Sequence, residues 1–333
     1  MLEPHQRMLE QCANFGIGTL VPALHGASSV SLRAELVRFG LRHFFKGRSG
    51  PAPTIETLRR CYGGLGRLAP RPPRGTLVKR LDLDGVRAVS IATRESRPDR
   101  HVLYFHGGGH VSGSPKLYRD FTWRIAAAAR AGALMTYHRL APEHPYPAAI
   151  EDGANAYRAL VAGGADPRAM AVMGESAGGG LVLGVLLKLR DEGIALPAAA
   201  VTISPWTDLA LSGNSYRQNA DADPMISNAD AARMASYYLG ETDPRTPYAS
   251  PIYGDPTGLP PTLIQVGSDE ILLDDSVQMA ARMRAAGCEV QLEVWPRMPH
   301  AWHVWARVMP EARAAITRIG LFLQDKWRMA KGE

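Results

Sequence analysis

From about residue 75 to residue 325, short apolar runs alternate with longer stretches of helical periodicity, the pattern of a parallel sheet covered by helices on both faces. The first two runs, 77–83 and 86–92, flank Asp84-Gly85, a dipeptide suited to the tight turn of an antiparallel pair. Six more strands are predicted at 102–105, 133–137, 171–173, 199–203, 262–266 and 290–295. Some are apolar on both faces, as Ala199-Ala-Ala-Val-Thr-Ile203 is, which marks a strand buried between helix layers. Helical spacing of apolar residues predicts helices over 117–131, 148–161, 177–192, 276–286 and 310–327, each long enough for a crossover between parallel strands. The expectation is an α/β fold with an eight-stranded, mostly parallel sheet.

Two stretches stand outside the alternation. Residues 1–50 contain an amphipathic pattern around 32–45, and residues 205–251 are rich in Tyr, Met, Asn and Asp. A Pro and Gly segment at 70–75 separates the first of them from the sheet.

Of the 333 residues, 46% are hydrophobic and 21% charged, which removes disordered and fibrous readings. The net charge of +6 is concentrated at the front, where residues 1–100 carry 17 Lys and Arg against 8 Asp and Glu. These cations are scattered from Arg33 to Arg100 without aromatic interleaving, so they read as a solvated surface and not as a nucleic-acid or lipid footprint. Cys12, Cys61 and Cys288 lie far apart and form neither a zinc motif nor a disulfide framework. Glu3 and Glu10 stand where a signal peptide would place a basic lead, and no apolar run approaches the roughly 18 residues of a membrane span. A soluble, cytoplasmic protein without stable membrane insertion is expected.

Candidate chemistry begins with Gly174-Glu175-Ser176-Ala177-Gly178, a GxSxG set where a strand ends and an apolar helix begins. Glycines at 174 and 178 permit the strained, close-packed turn that lifts a serine hydroxyl clear of a sheet, at the positive end of the helix that follows. About seventy residues upstream, His106-Gly-Gly108-Gly109 follows another β-run. Its glycines let backbone amides approach a ligand oxygen, so Gly108 and Gly109, with the amide of Ala177, are candidates for an oxyanion hole. No Lys-Ser/Thr follows as a phosphate loop requires, and no GxGxxG is present.

A serine nucleophile needs a base, and the base needs a carboxylate to fix its tautomer. In folds with this turn both partners follow the serine, on loops at the ends of later strands. One such loop offers Asp269, Glu270, Asp274 and Asp275; the other offers His300 and His303. Asp269 is nearest its strand end and is chosen as the acid, with Glu270 next, while Asp274 and Asp275 read as the cap and first turn of a helix. His300 is chosen as the base, and His303 reads as a helix-face residue beside Trp302 and Trp305. His106 is expected to support the glycine loop; His110, His138 and His144 are isolated, and no metal site is predicted. Arg139-Leu-Ala-Pro-Glu143 through Pro147 and Ser204-Pro-Trp-Thr-Asp208 read as loop-fixing networks.

Taken together and in order, these motifs resemble the hormone-sensitive-lipase-like branch of the α/β hydrolases, the bacterial family IV esterases. The resemblance covers roughly residues 75–325. It implies a hydrolase core with a helical cap built from residues 1–50 and an insertion at 205–250, a carboxylesterase acting on short- to medium-chain acyl esters, no cofactor, and a homodimer formed through the last strand. Glu175 stands where the family more often has Asp, and His138 where it commonly has Tyr. The triad alone is equally consistent with an amide, lactone or acetyl hydrolase, while a non-catalytic small-molecule receptor would usually have lost its base. Tyr216, Met225, Ile226 and Tyr238 are candidates for the wall of a pocket between cap and sheet.

Overall fold

The computed structural model describes residues 30–46 and 54–332. Of the expected N-terminal part of the cap, residues 1–29 and 47–50 therefore lie outside the described residues, as does Cys12. Eight strands form one sheet in the order β1-β2-β4-β3-β5-β6-β7-β8. They are β1 (Leu77–Leu83), β2 (Val86–Ala92), β3 (Arg97–Phe105), β4 (Ala131–Thr136), β5 (Met170–Glu175), β6 (Ala199–Ile203), β7 (Thr262–Gly267) and β8 (Val290–Trp295). β1 pairs antiparallel with β2, and β2 antiparallel with β4; every pairing from β4 to β8 is parallel. The β1–β2 turn is the expected one, with Asp84 and Gly85 both at positive φ (54° and 84°).

The helices are α1 (Leu32–Gly40), α2 (Ile55–Leu68), α3 (Pro115–Ala129), α4 (Ala148–Ala162), α5 (Ala177–Asp191), α6 (Ser215–Gln218), α7 (Asn228–Leu239), α8 (Leu273–Ala285) and α9 (Pro310–Lys331). α1 runs on into a π-helical turn, Leu41–Phe45. α3 begins two residues earlier than its periodicity predicts because Pro115 takes the first helical position, where its missing N–H costs nothing, and it stops at Arg130, which is left-handed (φ 54°). α2 was not predicted, and neither were α6 and α7 within the 205–251 stretch.

The sheet separates two apolar cores. On one face α4, α5 and α8 bury residues such as Ile150, Leu183 and Met279 together with Trp206, Ala231 and Tyr238 of the 205–251 stretch. On the other, α3 and α9 bury Phe121, Ile125, Ile319 and Leu323 with Trp302. β3 sits between β4 and β5, so the chain leaves β3 toward one side of the sheet and returns to the other, and the helices after β3 and β5 cover opposite faces. At such a reversal the loops diverge and leave a crevice at the C-terminal strand ends. The loops in question carry Gly107–Gly109 and Ser176.

Candidate active site

Ser176 occupies the turn between β5 and α5 with φ 58° and ψ −127°, a conformation that costs a non-glycine residue about 1–3 kcal/mol unless its surroundings impose it. They do so here through the backbone. Its N–H donates to the Ile203 carbonyl (2.9 Å), and its carbonyl accepts from Gly179 (2.9 Å), Gly180 (3.1 Å) and Trp206 (3.0 Å). Gly178 is obligatory for closeness, since a Cβ there would lie 2.2 Å from the Phe105 carbonyl oxygen. Ser176 thus stands at the positive end of α5, 9% exposed.

The loop after β3 approaches from the neighbouring strand. Gly108 has φ +114°, open only to glycine, and its carbonyl accepts from Val111 (3.2 Å) and Ser112 (3.0 Å). Among the described residues, the N–H groups of Gly108, Gly109 and Ala177 donate to no protein acceptor. The loop is anchored from below by Glu175, which accepts a short hydrogen bond from the Gly107 N–H and another from Tyr104 (3.4 Å). Burial pushes the Glu175 carboxyl up to about 7, against the opposing effect of these hydrogen bonds. His106 supports the loop as expected, with Nδ1 2.8 Å from the Gly107 carbonyl oxygen.

His300 and its carboxylate meet at the ends of β7 and β8. His300 Nδ1 lies 2.7 Å from Oε2 of Glu270, and the two side chains are 2% and 0% exposed. Glu270 Oε1 accepts from the Gly267 N–H (2.6 Å) and the Ser204 hydroxyl (2.7 Å), so one carboxylate oxygen is held by the turn and the other faces the imidazole. Burial disfavours the imidazolium, but the hydrogen bond to Glu270 and its charge, together with the charges of Asp223 and Glu175, outweigh it and His300 is raised above the ordinary histidine value. The other buried histidines, which lack a carboxylate, go the opposite way: burial lowers His106 to about 4, His110 and His303 to about 3, and His138 well below the usual range.

Asp269, chosen from the sequence as the partner of His300, is not there. Its carboxylate points away from the imidazole and forms an ion pair with Arg38 of α1 (2.6 Å). The two acids are adjacent on one tight turn and so project in different directions; the one whose oxygen captures the Gly267 N–H is directed inward. Distance from the strand end, the criterion that favoured Asp269, carries no information about that direction. Asp274 and Asp275 occupy the first turn of α8 as expected, but Leu272 stands at its cap, and the two carboxylates accept from the amides of Asn214 and Ser215 (2.7 and 3.1 Å) and of Thr207 and Asp208 (2.8 and 2.9 Å), fastening the 205–215 stretch. His303 lies in the 3₁₀ turn Trp302–Trp305, in line with its reading as a helix-face residue, and that face is buried: it is 1% exposed and pairs with Gln265 (2.7 Å).

The two Pro-rich motifs fix loops, as expected. Arg139 holds Asp152 through both carboxylate oxygens, its guanidinium donating to Oδ1 (2.7 and 2.9 Å) and its backbone N–H to Oδ2 (2.7 Å), Glu143 pairs with Arg59 of α2 (2.6 Å), and Asp208 accepts from Ala210, Ser212 and Tyr253.

Ser176, His300, Gly108, Gly109 and Glu175 all line one cavity of about 430 Å³. Its walls are mostly apolar: Leu117, Phe121, Val304 and Val308 from one side, Trp206, Met225, Ile226 and Met234 from the other, and Val37 and Leu41 from the N-terminal segment. Of the wall residues expected from the sequence, Met225 and Ile226 are present. Tyr216 and Tyr238 are buried behind the wall, Tyr238 stacked on His110 at 3.7 Å between ring centroids. The described residues contain no cluster of His, Cys, Asp or Glu able to hold a metal ion, and no helix among them is long and apolar enough to cross a membrane.

Residues 102–304 match a family of α/β-hydrolase fold. An acetyl-hydrolase of Streptomyces hygroscopicus is 47% identical over 241 residues, covering 72% of this chain and 79% of its own. An esterase of Acinetobacter venetianus is 33% identical over 268 residues, covering 80% of this chain and 88% of its own. Among solved structures, an esterase of the bacterial hormone-sensitive lipase family superposes with a TM-score of 0.85 and 41% identity, covering 90% of this chain and 99% of that one.

Proposed function

The chain belongs to the hormone-sensitive-lipase-like esterases of the α/β-hydrolase fold, and from that premise we propose that it cleaves carboxylic esters of short to medium acyl chain through Ser176, His300 and Glu270. The observation that carries this reading is the buried 2.7 Å bond between His300 and Glu270, whose imidazole opens onto the same cavity as Ser176. In it, His300 takes the Ser176 proton as the hydroxyl attacks the ester carbonyl, and returns it to the departing alcohol. Glu270 fixes the tautomer that leaves Nε2 free to accept, and stabilises the imidazolium that forms. Charge developing on the carbonyl oxygen falls to the amides of Gly108, Gly109 and Ala177, which have no competing protein acceptor among the described residues. Water then cleaves the acyl-enzyme by the same route in reverse.

The cavity volume and its apolar walls support an acyl chain of modest length, with segments 30–46 and 205–250 acting as the cap that closes over it. The test is hydrolysis of p-nitrophenyl esters from acetate to palmitate by the wild type and Ser176→Ala. The expected profile peaks at short to medium chains and falls by about 10⁵-fold or more in the variant. A folded Ser176→Ala protein that keeps its activity, or a maximum at palmitate, overturns the reading.

A further inference from the structure

The segment 30–46 contributes Val37 and Leu41 to the cavity wall and buries Ala34 and Leu41, but Leu32, Leu36 and Phe39 are 76%, 62% and 57% exposed, so its apolar seat is narrow. Polar ties add to that seat, and several of them end on the loops that carry His300 and Glu270. Arg38 Nη1 pairs with Asp269 (2.6 Å) and donates to the Arg297 carbonyl (2.5 Å), and Glu35 pairs with the Arg297 guanidinium (2.7 Å). Asp269 directly precedes Glu270, and Arg297 lies three residues before His300. Further along, Arg42 donates to the carbonyls of Asp221 and Ala222, and Lys46 to those of Ala220 and Asp223, while Asp223 accepts from the Ile271 amide on the Glu270 turn. The Arg38 and Asp269 side chains are only 12% and 16% exposed, so their attraction is less screened than that of a surface pair.

We propose that Arg38 and Asp269 form a latch that seats α1 over the cavity and thereby sets how well the enzyme holds acyl chains long enough to reach Val37 and Leu41. The proposal rests on the reading of this cavity as the acyl site. The pair touches no reacting atom; both are positioning residues that act through the wall. An acyl group too short to reach that wall is indifferent to its seating, so the latch separates substrates by length while leaving the bond-breaking step alone.

The experiment compares kcat and KM for p-nitrophenyl acetate and octanoate in the wild type, Arg38→Gln, Asp269→Asn, the double variant and the charge-reversed pair Arg38→Asp with Asp269→Arg. Loss of the latch is expected to raise KM for octanoate about fivefold, the scale of a partly shielded ion pair, with acetate kcat within about twofold of wild type. The double variant should lose no more than either single one, and charge reversal should restore the octanoate KM. Equal loss on acetate and octanoate, or an unchanged octanoate KM in folded Asp269→Asn, overturns the proposal. Labelling of Ser176 by a fluorophosphonate, run on the same samples, reports separately on the nucleophile: unlabelled wild type would count against the esterase reading and not against the latch.

Discussion

Glu270 and His300 meet where water is excluded, so their attraction is strong and removing one leaves the other exposed to the full cost of burial. Proton abstraction needs neutral imidazole, and the carboxylate raises His300 above 6.5, so kcat/KM should fall with decreasing pH through an apparent pKa above that value. Glu270→Gln removes the raising charge: the acid limb should move to lower pH while kcat drops by about 10³-fold or more. Asp269→Asn should leave both the limb and acetate turnover near wild type, and a loss there equal to that of Glu270→Gln would return Asp269 to the triad. Glu175 makes a second pH prediction. Its carboxyl is raised from 4.5 to about 7 in the folded chain, so folding favours the protonated form; the gain is complete below about 4.5 and is lost as pH rises through about 7. A neutral isostere escapes that loss, and Glu175→Gln should gain melting temperature relative to wild type as pH is raised across this window. At this scale the sequence reveals residues whose roles are tied to local context. Ser176 is marked by its glycines and the strand and helix about it, and His300 by its strand end. The choice between Asp269 and Glu270 turns on the direction a side chain leaves a turn, which adjacent positions do not disclose.

Among the elements, the strands buried on both faces were legible because continuous apolar runs leave few other placements, and β1, β2, β6 and β8 have the bounds their sequence predicts. α2 was hidden by Gly63, Gly64 and Gly66, residues that lower helix propensity by about 1 kcal/mol each. α6 is a single turn, and it and α7 belong to a stretch whose order comes from outside it. Much of that order comes from α8. Asp275, 1% exposed, accepts the amides of Thr207 and Asp208, and Asp274 those of Asn214 and Ser215. Asp275→Ala would strand two buried N–H groups, at roughly 1–3 kcal/mol each, and should lower the denaturation free energy by about 3 kcal/mol. Chemical denaturation measures this directly; a loss under about 0.5 kcal/mol would mean that the insertion is held by apolar packing instead.

Across the whole molecule, the proposed chemistry and the proposed selection come from different parts of the chain. Ser176, Glu270, His300 and the glycine loop are fixed to strand ends, whereas much of the cavity wall is drawn from residues 30–46 and 205–251. The sequence showed this division only as two stretches that failed to fit the alternation, since nothing in a run of Tyr, Met and Asn states what it will cover. The apolar lining has a further consequence for the second half of the reaction. If Ser176 carries the acyl group, as proposed, the attacking molecule must reach a serine only 9% exposed in a cavity lined by Leu117, Phe121, Trp206 and Ile226, surroundings that favour a small alcohol over water. Given ethanol or butanol as cosolvent, the acyl-enzyme should partition toward alcoholysis, releasing new ester ahead of free acid beyond the ratio set by bulk concentrations. Under the proposed mechanism, such a result would make water one acyl acceptor among several, used because it is usually all that is offered.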